Sequence, residues 1–394
     1  MKQTILFLAI CLIVTTESRG QRQAGNEELI TVDVTKSYSA TKELILQDFM
    51  DVEYIALETN DDFLNQGLVM DIGKKIIIVS NRINDGDIFI YDRSGKAIRK
   101  INHKGAQTSR EYNQFLGITL DEDKNEMFVN DPSIRRILVY DLNGKFRRSF
   151  KHRESTGNPF NTSYYTSIFN YDKDNLICYD NNDKSRAFVL ISKKDGSVTH
   201  EVKIPFKENI SLLLRRNNGA QFITAGPSYY RSIIPFKGNW LLLELSSDTV
   251  YTFLPDYNLR PFLVRTPSIQ SMNSRIFLLL SLISDRYFLM EIMRNEFDWN
   301  TRTGFPRTPL LYDRQEKAFF KNTVYNGDYS TKKEIYFNKL RPVNHEIIES
   351  WQTIEAFELV DDYKKGLLKD GKLKEIASKL DEEDNPVIML IKHK

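Results

Sequence analysis

Ile88-Phe-Ile-Tyr-Asp-Arg-Ser-Gly-Lys-Ala-Ile-Arg-Lys-Ile101 and Ile137-Leu-Val-Tyr-Asp-Leu-Asn-Gly-Lys-Phe-Arg-Arg-Ser-Phe150 are the same segment written twice, 49 residues apart. Each copy is a β-branched and aromatic run ending in Tyr-Asp, a two-residue spacer, Gly-Lys, and a second alternating run. That pattern predicts a hairpin with a glycine-containing turn. Two strands cannot bury a face by themselves. A period near 50 residues with about four strands per unit predicts an all-β, six-bladed β-propeller, in which each blade packs on its neighbours around a channel.

Working outward, blade one runs from about Phe63 to Glu111 with Ile76-Ile-Ile-Val79 inside it, and blade two to about Phe160 with Met127-Phe-Val129 in the equivalent place. Leu176 to Tyr179, Phe188 to Ile191 and Val198 to Ile204 form a third unit, whose turn Lys194-Asp-Gly196 carries one inserted residue. Trp240 to Leu245 with Asp248 to Tyr251 mark the fourth, and Ile276 to Ile283 with Tyr287 to Ile292 the fifth. In the last unit Glu334 to Phe337 reads as a strand. Ile347, Ile348, Trp351, Ile354, Phe357 and Val360 fall near helical spacing, and Leu373, Ile376, Ala377 and Leu380 share a second helical face. A helical insertion over about 345–382 is therefore expected, followed by a last strand at 387–392. The alternating runs within 29–60 are expected to complete the last blade, because a ring closes when one blade is built from both chain ends.

Ahead of all this stand Lys2, an apolar run from Ile5 to Val14, and polar residues with Ser18 and Gly20. The run is too short to span a bilayer core of about 30 Å as a helix. Residues 1–20 read as a secretory signal peptide cleaved before Gln21, which leaves 21–394 as a single exported domain of the periplasm or cell envelope. A lipid anchor at Cys11 is the alternative, disfavoured by the bulky Ile10 before it. Without the leader one cysteine remains, Cys178, so the mature chain has no internal disulfide and its core must hold it. The formal net charge over the chain is +2. That near-neutral balance argues against a nucleic-acid partner, and the other apolar runs are too interrupted for a membrane helix in the mature chain.

Several clusters invite a chemical reading and admit a plainer one. His345-Glu346-Ile-Ile-Glu349 has Glu where a zinc protease needs its second His, and suits a helix N-terminus. Asp121-Glu-Asp-Lys-Asn125 and Asp172-Lys-Asp-Asn175 offer alternate oxygen ligands, yet both fall where hairpins must turn. The basic run Lys145 to Arg153 is split between strand faces. Cys178 sits inside an apolar strand. No catalytic residue, metal ligand or cofactor is assigned. Tyr112, Tyr164-Tyr165 and Tyr229-Tyr230 each precede an inner strand of successive blades. Tyr112, Tyr165 and Tyr230 are thus the candidate ligand-binding residues, a rim of aromatic faces and hydroxyls at the channel mouth. Packing between blades is the other role such tyrosines fill.

Tyr54-Ile-Ala-Leu-Glu-Thr59, Gly105 with Glu111-Tyr112, Ser247-Asp-Thr-Val-Tyr251 and Leu380-Asp-Glu-Glu-Asp-Asn-Pro-Val-Ile-Met389 give the chain a resemblance to exported six-bladed propellers of the NHL/TolB-like type from Gram-negative glycan-degrading bacteria. The resemblance covers most of the mature chain. It departs at Ala106 to Arg110, where that family often has a compact Gly-Pro loop. The family has no common activity to lend, so the leading expectation is the chain's own: an exported, non-enzymatic, monomeric propeller that binds a ligand, a glycan or protein partner, as an accessory of glycan uptake. The alternative is a propeller hydrolase or lyase with a metal-assisted site at the channel mouth.

Overall fold

The computed structural model describes residues 29–394 except 106, 153–163, 181–187, 218, 220–221 and 228–229. The expected leader at residues 1–20 and Tyr229 lie outside the described residues. Six sheets follow one another as blades. Their innermost strands are Leu68–Ile72, Gly117–Asp121, Ser167–Asn170, Ile233–Phe236, Ile276–Ile283 and the short Arg341–Pro342.

Why these strands make a ring is visible in where alternate residues go. Buried on both faces, the middle strands of a blade send successive side chains to opposite neighbours. Leu138 and Tyr140 pack into the cluster shared with blade one, while Ile137 and Val139 pack into the cluster shared with blade three. Six separate hydrophobic clusters result, one at each blade-to-blade contact. The duplicated hairpins share one turn. Asp92 accepts from the amides of Ser94 and Lys96, as Asp141 does from Asn143 and Lys145. Gly95 and Gly144 sit at φ of 87° and 84°, the left-handed region that glycine enters without strain.

Three expectations are corrected. The segment Ile348–Ile354 is a strand, and the helix starts only at Ala356–Lys364, followed by Lys372–Ala377. Residues 348–351 are all buried, Glu349 and Ser350 included, so no alternation betrays the strand. Glu334 makes only an isolated bridge to Tyr325, and Phe337–Lys339 is a 3-10 turn. Nor do the leading strands all join the last blade. Ile30–Asp33 lies parallel on the outer strand Leu259–Thr266 of blade four, and Thr41–Ile45 lies parallel on Ala318–Tyr325 of blade five. Met50–Ala56 alone pairs in blade six, antiparallel to Val387–His393. The segment thus straps three consecutive blades, burying Val32 and Val34 on the way.

Candidate functional site

The three rim tyrosines separate. Tyr112 is 0% exposed in the blade one–two cluster, its hydroxyl donating to the Gly86 carbonyl at 2.6 Å and accepting from the His103 amide at 2.8 Å. Tyr165, 2% exposed, lies in the blade two–three cluster against His152, with ring centroids 5.0 Å apart. Neither offers a face to a ligand, because each fills the gap between the strand it precedes and the blade before. Tyr230 is half-buried and does reach an open recess.

That recess, about 320 Å³, lies where the inner strands of blades three and four begin. Its polar groups include Ser167, Ser232, Tyr179, Tyr230 and Glu244, and Ile210, Leu212, Leu213 and Pro227 from the connection between the blades form an apolar wall. Within that connection Leu214–Asn217 pairs with Phe222–Ala225 as a separate hairpin. Tyr179 ends the second strand of blade three, and Glu244 follows the second strand of blade four. Their hydroxyl and carboxyl meet at 3.3 Å, and the Tyr179 and Tyr230 hydroxyls at 3.0 Å. The other carboxyl oxygen of Glu244 accepts from the Ser246 amide at 3.0 Å. Burial raises the Glu244 carboxyl above its ordinary range, with the Ser246 hydrogen bonds opposing, and raises the Tyr179 phenol as well. A carboxyl biased toward its neutral form beside two phenols can both donate and accept hydrogen bonds, which suits an uncharged hydroxylated ligand.

Sequence reasoning missed Glu244 and Tyr179. The signal was present: a lone acid inside Trp240-Leu-Leu-Leu-Glu-Leu245 is a carboxyl carried into a buried run.

The remaining clusters have structural partners. Asp121 accepts from the buried Lys193 ammonium of the next blade at 2.5 Å, and Asp172 caps its own turn through the amides of Asp174 and Asn175. Arg147 pairs with Asp141 at 2.9 Å, while Arg148, on the other face, pairs with Glu126. Glu349, placed on a strand rather than a helix, receives the Arg231 guanidinium at 2.7 Å in the interior. Arg231 also donates to the Ser281 carbonyl, tying blades four, five and six. Burial raises the Cys178 thiol well above its usual value. Among the described residues, no group of three or more His, Cys, Asp or Glu is placed to hold a metal ion, and no helix is long and apolar enough to cross a membrane.

The fold and its recess define a six-bladed propeller with a small half-polar pocket at the channel mouth. Within that class the chain belongs to the family described as domain of unknown function DUF4934, which matches residues 29–392. Among solved structures it is similar to a candidate exported protein of Bacteroides fragilis, at 15% identity and a TM-score of 0.56, covering 90% of this chain and 99% of that one. A DUF4221 member from Bacteroides vulgatus matches at 11% identity and a TM-score of 0.50, over 88% of this chain and 99% of that one. At such identities the likeness speaks for the fold alone. No curated protein matches the sequence.

Proposed function

We propose that the protein is an exported, non-enzymatic propeller that holds a glycan segment in the recess between blades three and four. The observation that carries this reading is the Tyr179–Tyr230–Glu244 hydrogen-bonded group set against an apolar wall. Sugars present the same combination, a ring face that stacks on aromatics and hydroxyls that exchange hydrogen bonds. Export is supported by the leader at residues 1–20 and by the description of the Bacteroides fragilis structure as a candidate exported protein. Kinship with the NHL/TolB-like exported propellers, and a role accessory to glycan uptake, rest on the motifs that end in Leu380 to Met389.

Calorimetry of the mature protein against a panel of soluble oligosaccharides tests the recess. Tyr230→Ala is expected to weaken binding by about 1 kcal/mol or more, with a smaller loss of stability than truncating a fully buried ring brings. Undiminished affinity in that variant would place the ligand elsewhere. Intact mass of the envelope form should begin at Gln21; an acylated Cys11 would replace the cleaved-leader reading with a lipoprotein.

A further inference from the structure

Beside the recess lies a second cavity, about 250 Å³, walled by the inner strands of blades one, two, three and six. It adjoins the mouth recess, since Thr166 and Ser167 line both. Its wall is mainly apolar and includes the aromatic rings of Phe169 and Trp351. Three polar side chains in that wall are informative because of how their hydrogen bonds are already used.

Thr119 donates its hydroxyl proton to the Ile168 carbonyl at 2.9 Å, which leaves its oxygen only able to accept. Asn130 is 4% exposed; its amide nitrogen donates to the Tyr165 carbonyl at 2.8 Å, while its Oδ1 has no partner among the described residues. A buried amide oxygen left so is destabilising unless something donates to it. Asp71 is turned into the cavity by a β-bulge between Val69 and Asp71, the device by which strands re-aim a side chain. Its carboxylate accepts from the amides of Ile72 at 2.8 Å and Leu120 at 2.7 Å and forms no ion pair among the described residues. Enclosure raises that carboxyl to about 6, and the nearest charge acting on it is another acid, Glu122. Arg341 also borders the cavity, and one of its guanidinium nitrogens donates to the Asn338 and Leu340 carbonyls at 2.9 and 3.1 Å.

We propose that this channel cavity is a binding site for a small organic cation, an alkylammonium group donating to Asp71, Asn130 and Thr119 with its carbon chain against Phe169 and Trp351. A donor-rich, positively charged head supplies what the three acceptors lack, and a carboxylate in a largely apolar enclosure gains more from a cation than an exposed one does. Aromatic faces in the same wall favour positive charge further. The site is independent of the mouth reading, because neither Tyr230 nor Glu244 lines it.

The test titrates the mature protein with n-butylammonium and with n-butanol, its uncharged counterpart of nearly equal shape, followed by calorimetry or by the shift in melting temperature. The amine is expected to bind at least tenfold more tightly than the alcohol. Asp71→Asn should bring the ratio to within about twofold, and Asn130→Ala should weaken the amine several-fold. Equal affinity for the two probes, no binding of the amine, or a preference that survives Asp71→Asn would overturn the proposal. If Asp71→Asn fails to fold, Asn130→Ala and the wild-type ratio still decide it.

Discussion

Blades one and two close with four strands of their own and the same Asp-to-glycine turn, whereas blades four, five and six each take their outermost strand from the segment before Leu57. Both halves face one problem: an outer strand presents unpaired amides and carbonyls. In the first half the answer is local. Ala97–Asn102 carries Arg99 and Lys100, and Phe146–Lys151 carries Arg147, Arg148 and Lys151, charges that discourage a second chain from pairing there. In the second half the answer is non-local, a parallel strap over Leu259–Thr266 and Ala318–Tyr325. The interior does not divide this way: a buried ion pair ties blades in each half, Lys193 with Asp121 between blades three and two and Arg231 with Glu349 between blades four and six. The mouth recess lies where the two halves meet.

The comparison breaks most sharply at the tyrosines. Tyr112 and Tyr165 occupy different clusters, so their losses should add. The double variant Tyr112→Ala/Tyr165→Ala is expected to lose about 6–10 kcal/mol, from about 3–5 for each large buried ring. Denaturant melts would then find it largely unfolded, against a milder loss in Tyr230→Ala, whose ring is only half-buried. A double variant that melts like the parent would mean those rings are not packed between blades.

Next comes the ion pair. Arg231→Met leaves Glu349 charged in the interior and should cost about 3–5 kcal/mol, much of which returns in Arg231→Met/Glu349→Leu. Comparison of denaturation midpoints for single and double variants reads this directly. Equal destabilisation in both would show that the guanidinium matters for packing and not for charge.

The smallest effect separates the two copies of the duplicated turn. Gly144→Ala is expected to cost about 1–2 kcal/mol, the penalty of a side chain in the left-handed region. Its new Cβ would meet only the Ile101 side chain, at 3.1 Å. Gly95→Ala should cost more, since its Cβ would fall 2.0 Å from the Ala56 carbonyl oxygen of the last blade's outer strand. Equal melting shifts for the pair would argue that the blade one turn is not docked on blade six.

What the sequence revealed follows the same division. The first half was legible because its turns are chemically specific: an Asp, a spacer and a glycine at positive φ leave one hairpin register. The strap was not, since alternation in Ile30 to Val34 tells which face is buried and says nothing about which strand it meets. Residues 345–360 misled for a physical reason. A strand buried on both faces with Glu349 and Ser350 turned into the ring loses its period of two, and the apolar positions left over mimic a helix. The rim tyrosines were placed by position along the strand, yet Tyr112 and Tyr165 turn fully between blades while Tyr230 packs at the edge of two clusters and borders the recess, and a half-buried strand end carries no mark of that choice. Glu244 was legible only as an anomaly, an acid in an apolar run.

The most direct test is a crystal structure of the mature protein soaked with the tightest oligosaccharide from the binding panel. Density for a sugar ring against Tyr230, with a hydroxyl within hydrogen-bonding distance of Glu244, is the predicted result. Ordered sugar bound only outside the recess between blades three and four would contradict it.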